Sequence, residues 1–429
     1  MGLFVDIPKP SPWPRPKPDE TERIQKLMSY AQERDPIGDK IHTIFACLFM
    51  FSLPLATAPA SISMAALSVY SLMRLPSTWR GLTLIGNSKV LWAMLAWAGW
   101  TVLSITWSSD PEQGLDHAEA MWALGLFFVL PPVLHNWRFL LGAFLLGVAV
   151  QNGVQIMQLT KALQMGRIYV RPSGFNGHAG NSSIFMAVAF VVWLAILMFG
   201  NRFRWYTLVG AALALFGVVL ARGFGVWIGL AFGSLLLCCI KIHQDKPSLK
   251  KVLISSIAIA LVVVFSGYLV KPSLLRKIKE VTNSIERYSE GEIQTGNEKR
   301  LVWWETELKA SVKSPETFLF GHGAGSTTTV RFGTKKRDKK LVTSHPHSVY
   351  AQTLYEGGSI GLALLLMWFS MVVIFFLRGP KLFLIAGISI QLLWLVVGVF
   401  EGTLNFGLTL ALYCSLAVFS HTTLTNVRG

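Results

Sequence analysis

The sequence predicts an all-α, polytopic membrane fold, on three observations. Hydrophobic residues make up 52% of the 429 and charged residues only 14%, with a mean hydropathy of +0.48, a balance foreign to soluble domains. Apolar runs close to bilayer length recur along the chain. Lys and Arg gather in alternate short connections, as they do in chains that thread a membrane. Helices are the expected element, because backbone in lipid must satisfy its own hydrogen bonds.

Residues 1–40 read as a cytoplasmic arm, Pro-rich through Pro18 and then suited to a short amphipathic helix from Asp19 to Arg34. No cleavable-signal pattern precedes the first apolar run, so the first transmembrane helix is expected to direct insertion. Apolar segments follow at 42–57, 60–75, 88–106, 118–135, 138–159, 182–199, 205–220, 224–242, 251–270, 350–377, 382–399 and 405–422. They predict about twelve helices, the first nine within 41–270 and the last three within 349–429. The first two could instead form one element broken at Pro54 and Pro59. Cys47, Cys238, Cys239 and Cys414 all fall in apolar segments and read as small buried hydrophobes.

The Lys and Arg pattern places both termini in the cytoplasm and leaves an outer side whose short connections, such as 108–117 and 401–405, carry neither residue. The outer exceptions are informative. Lys161, Arg167 and Arg171 share one loop, Arg222 stands alone between two apolar helices, and loop 271–348 holds fifteen Lys or Arg against nine Asp or Glu. Arg222 reads either as an interfacial side chain reaching headgroups or as an anion site. Within the large loop, 276–290 and 299–313 have helical spacing, with Leu301, Trp304 and Leu308 as the second helix's apolar stripe and Trp303 and Trp304 seating it on the membrane domain. Residues 319–326, LFGHGAGS, form either a close-packed turn or a phosphate cradle. The basic run 331–340 is either a solvated loop or a contact for phosphorylated headgroups.

The loop ends in Ser344-His345-Pro346-His347-Ser348, at the edge of the next apolar run. Pro346 suits a helix's first turn, and a helix starting there puts His347 beside the positive end of the helix dipole, which favours the neutral imidazole a base needs. No metal-ligand cluster, Walker motif, Rossmann fingerprint or Gly-x-Ser-x-Gly elbow appears, so metal-dependent, ATPase and serine-esterase chemistry lack supporting residues. A pyrophosphate leaving group fits: guanidinium forks stabilise the departing charge and a histidine removes the acceptor's proton. Asp110, Glu112 and Asp116 in an early outer loop are alternative bases, and His178 accompanies Arg171 in another; His322 reads as a turn residue.

The motif HSVYAQTLYEGGSIG, with His347, Tyr350, Gln352, Glu356, Gly357 and Gly361, resembles the signature of the O-antigen ligase and polymerase superfamily. Ala221-Arg222-Gly223, Arg300 with Trp304, and Gly321–Gly325 match further family features in the same order. Ser348 and Ala221 depart from the commoner Asn and the commoner Ser or Thr. The resemblance implies a GT-C-like glycosyltransferase of the bacterial inner membrane with a periplasmic site. It also implies that Arg222 and Arg300 bind the pyrophosphate of an undecaprenyl-linked glycan while His347 deprotonates the acceptor, in a metal-independent, inverting transfer that needs no cofactor. Arg167, Arg171, His345 and Tyr350 are then candidates for the donor or acceptor site. Expected partners are the lipid-linked glycan, lipid A core and membrane lipids, with no nucleic acid. One dominant loop and its basic excess favour a ligase; a polymerase or protein O-oligosaccharyltransferase of the same superfamily, or a lipid-carrier flippase, are the alternatives. A flippase needs no base at the helix start.

Overall fold

The computed structural model describes residues 30, 32–86, 88–160, 172–176, 178–200, 205–221, 223–245, 279, 282–290, 296–329, 347–377, 381–402, 404 and 407–419. Arg167, Arg171, Arg222, His345, the basic run 331–340 and the apolar segment 251–270 lie outside them, as does the arm through residue 29. The described residues are helical with no strand, and the chain is an all-α polytopic membrane protein.

Helices α1 (Pro36–Ser52), α2 (Thr57–Met73), α3 (Leu75–Gly86) and α4 (Lys89–Ser104) open the bundle. Then come α5 (Pro111–Ala120), α6 (Leu126–Val129), α7 (Trp137–Leu159), α8 (Ala179–Phe199), α9 (Trp205–Ala221) and α10 (Phe224–Asp245). The loop carries α11 (Gly296–Ser311) and α12 (Pro315–Phe320), and α13 (Val349–Leu377), α14 (Lys381–Phe400) and α15 (Gly407–Phe419) complete the chain. Lys89–Trp107, Pro131–Leu159, Ala179–Phe199, Phe224–His243 and Val349–Leu377 are long and apolar enough to cross a bilayer; Thr57–Met73, Trp205–Ala221, Leu384–Phe400 and Gly407–Phe419 are shorter apolar helices.

Because lipid is as apolar as a leucine side chain, helix association here rests on close contact and hydrogen bonds. Gly225, Gly229 and Gly233 repeat every fourth residue on α10 and lie against Phe400, Val397 and Leu393, and Ser389 of α14, where any side chain would collide. Trp368, Trp394 and Tyr413, all but fully buried, meet edge to face at 4.9 and 5.2 Å, and Trp97 of α4 stacks on Trp368 at 5.3 Å. Each such pair adds about 0.5–1.5 kcal/mol beyond its contact area. Together they tie α4, α13, α14 and α15 into one core.

The first apolar pair forms two helices, α1 and α2, packed on each other, rather than one broken element. Two elements differ from expectation. Segment 118–135 is not one helix: it breaks into the end of α5, a 3-10 turn, the four residues of α6 and a second 3-10 stretch from Pro131. Pro131 and Pro132 lack the amides an α-helix needs to continue. Segment 350–377 bends at Gly358, whose φ of +68° is non-helical. A side chain there would run into the Leu319 carbonyl, so only glycine lets the loop backbone come this near.

Candidate active site

Three side chains from three elements converge at the loop-bearing end of the bundle. His347 precedes α13 by two residues, Arg300 lies near the start of α11, and Glu401 directly follows α14. Arg300 Nη2 is 3.3 Å from His347 Nδ1 and 3.8 Å from Glu401 Oε1, while Glu401 Oε2 is 3.6 Å from the same Nδ1. Trp303 stacks on the imidazole, ring centroids 5.9 Å apart and planes at 21°. The three polar side chains are 22–32% exposed, open enough for a headgroup to reach them.

His347 has a φ of +57°, the one positive value among the described non-glycine residues. Such a conformation costs about 1–2 kcal/mol, and strain of this kind gathers at functional sites. It corrects the helix start expected near residue 346: α13 begins at Val349, Ser348 Oγ accepts from Ala351 N at 3.4 Å, and His347 stands outside the first turn. Serine is a strong N-cap, and a left-handed residue cannot continue a right-handed helix. His347 still lies just ahead of the positive end of the dipole.

Expectation and structure also part on α11. Leu308 is 46% exposed and Leu301 and Trp304 only half-buried, whereas Glu298, Val302, Trp303, Glu307 and Ser311 form the buried face. Glu298 is neutralised there by Arg287 at 2.7 Å. Trp304 does meet the membrane domain, its ring 6.4 Å from that of Phe400. Tyr350 donates its hydroxyl to the Leu395 carbonyl at 2.8 Å and so pins α13 to α14. The glycine-rich turn is not an open phosphate cradle: the amides of His322, Gly323 and Ala324 donate to Tyr355 O, Glu356 O and Ser104 Oγ. Asp110 caps α5 by accepting from Gln113 N at 3.1 Å. His178 immediately precedes α8. Gly225, three residues beyond Arg222, packs on Phe400, the neighbour of Glu401.

A second polar centre is built on Glu356 in the first half of α13. Glu356 accepts from Thr327 Oγ1 at 2.9 Å and Gln352 Nε2 at 3.3 Å, and His117 Nδ1 of α5 lies 3.5 Å away. Burial draws the His117 pKa down, but its hydrogen bond to Glu356 and the charges of Glu356, Asp116 and Asp110 outweigh it and raise the pKa above the usual histidine value. Trp97, Trp100, Gln352 and Gly361 line the cleft beside this pair. Among the described residues, no group of three or more His, Cys, Asp or Glu side chains is arranged to hold a metal ion.

Neither Glu401 nor His117 entered the sequence-based set. The signal for Glu401 was present: a carboxylate in an outer connection free of Lys and Arg, at the edge of an apolar run, where ionisable groups are costly and usually functional.

No curated protein matches the chain at a significant level. Residues 209–366, which run from α9 into α13 and hold Arg222, Arg300, His347 and Glu356 but not Glu401, match the family described as O-antigen ligase. That match spans the stretch that carries the strained histidine and its arginine, and over it the chain is similar to the O-antigen ligase family.

Proposed function

We propose that the protein is a ligase that transfers a glycan from undecaprenyl pyrophosphate to a sugar hydroxyl of lipid A core, on the periplasmic face of the bacterial inner membrane. The observation that carries this reading is the convergence of His347, Arg300 and Glu401 within 3.3–3.8 Å at the loop-bearing end. His347 is the general base. With its proton on Nδ1, turned toward Glu401, the ring presents the Nε2 lone pair to the acceptor hydroxyl. The acceptor oxygen attacks the anomeric carbon from the face opposite the leaving group, its proton passes to Nε2, and the bond to pyrophosphate breaks with inversion.

Arg300 and Arg222 bind the pyrophosphate and stabilise its growing charge through bidentate hydrogen bonds. Arg300 and Glu401 also compete for Nδ1. An arginine donating to Nδ1 forces the ring proton onto Nε2, the wrong tautomer for a base. Drawing Arg300 onto the pyrophosphate leaves Nδ1 to Glu401 and readies Nε2, which couples donor binding to base formation. Arg167, Arg171 and His345 belong to the donor or acceptor site in this reading. The basic excess of the 271–348 loop suits a phosphate-rich acceptor, and that excess favours the ligase over a polymerase.

The test is a reconstituted transfer assay with lipid-linked glycan, lipid A core and the purified chain. Transfer to the core sugar that collapses in His347→Ala is expected. Elongation of the lipid-linked glycan without transfer to core would mark a polymerase instead. Inactivation by EDTA that Mg²⁺ reverses would overturn the metal-free mechanism.

A further inference from the structure

Glu307 is fully buried, yet neither carboxylate oxygen has a hydrogen-bond partner among the described residues. Two turns earlier on the same face of α11 stands Arg300, and Trp303 lies between them. This face packs on α13. The groups facing Glu307 there are Glu356 and Tyr355. From the adjoining loop, His322 stacks on Tyr355 at 4.4 Å, and from α5, His117 pairs with Glu356. No cation among them approaches Glu307 within ion-pair distance. A charged carboxylate in that position would be buried with no hydrogen-bond partner among the described residues and would be repelled by Glu356.

We propose that Glu307 is a positioning residue: as a neutral acid it seats α11 on α13, bringing Arg300 and Trp303 to His347, and as a carboxylate it unseats the helix. Burial, reinforced by Glu356, pushes the Glu307 pKa well above the usual carboxylate value. The docked state therefore binds one proton more than the undocked state. Between the ordinary glutamate pKa and the raised one, the docking equilibrium weakens by up to about tenfold per pH unit as pH rises. Glutamine keeps the shape without the charge, so Glu307→Gln stays docked throughout. The effect on turnover rests on the transferase reading above, but docking does not.

Hydrogen exchange of residues 296–311 in the detergent-solubilised full chain, from pH 5 to pH 9 and corrected for chemical exchange, separates the two. Wild type is expected to lose protection toward tenfold per pH unit, and Glu307→Gln to hold the low-pH level across the range. A flat wild-type profile, an unchanged slope in Glu307→Gln, or a variant unprotected at every pH would each overturn the proposal; the wild-type slope serves even where the variant fails to fold. In parallel transfer assays, the wild-type alkaline decline should disappear in Glu307→Gln, and its persistence there would overturn the positioning role. Absence of transfer in the wild type and in Glu307→Gln alike, with the exchange slopes as expected, would fell the transferase reading and leave the docking role supported.

Discussion

Two histidine–glutamate pairs lie at the start of α13, one just ahead of the helix and one built on Glu356 within it, and they differ in what else reaches them. His117 and Glu356 are 12% and 8% exposed, and Glu356 also accepts from Thr327 and Gln352, so its lone pairs are largely spoken for. His347 and Glu401 are 29% and 22% exposed, and Arg300 stands beside both. The same two residue types thus make a closed strut in one pair and an open centre in the other. Saturated hydrogen bonding and burial hold a pair in one state, whereas a partly exposed pair at a solvated edge can be reached by a substrate.

Substitutions at the two pairs should separate accordingly. The largest effect belongs to the open pair: His347→Ala should lower transfer by about 10²- to 10⁴-fold with little change in thermal stability, and transfer near the wild-type rate would remove His347 from the chemistry. Next, Arg300→Lys should lower turnover by about 10- to 150-fold, the equivalent of a charge-assisted bond of about 1.5–3 kcal/mol. Full activity in that variant would reduce the arginine to nonspecific attraction.

The closed pair should respond in stability instead. Glu356→Ala strips Thr327, Gln352 and His117 of their acceptor and should cost about 1–3 kcal/mol in unfolding free energy; Glu401→Ala, at the exposed edge, should alter melting far less than turnover. The smallest effect is a pH slope. Because the His117 pKa is raised in the folded protein, its contribution is fully present below the unfolded pKa of about 6.5 and is lost as pH rises through the folded value. His117→Asn should flatten that part of the melting profile, distinguishable from Glu307→Gln because the glutamate slope begins near its own lower reference value. An unchanged profile would mean that the pair is not an ionic strut.

Much of this was legible in advance. Apolar run length located the long helices, since twenty apolar residues have few other stable fates, and the polar edge of the last long run singled out His347. The α11 face was misread for a physical reason: periodicity assigns apolar residues to the buried side, while this helix buries Glu298 against Arg287 and Glu307 against α13, leaving Leu308 outside. The break in 118–135 was misread because a run buried on several sides has no period to betray a change of element.

By itself, then, the sequence determined the class of the fold, the order of its helices and the residue types available for chemistry, because hydrophobicity and local motifs act over a few neighbouring residues. Only the tertiary structure decided that Glu401, 54 positions beyond His347 in the chain, shares its Nδ1 with Arg300. It also decided that Gly358 bends α13 where the loop presses on it, and that one histidine–glutamate pair is closed while the other stays open. Those outcomes depend on which helices touch, and contact between distant segments leaves no local signature.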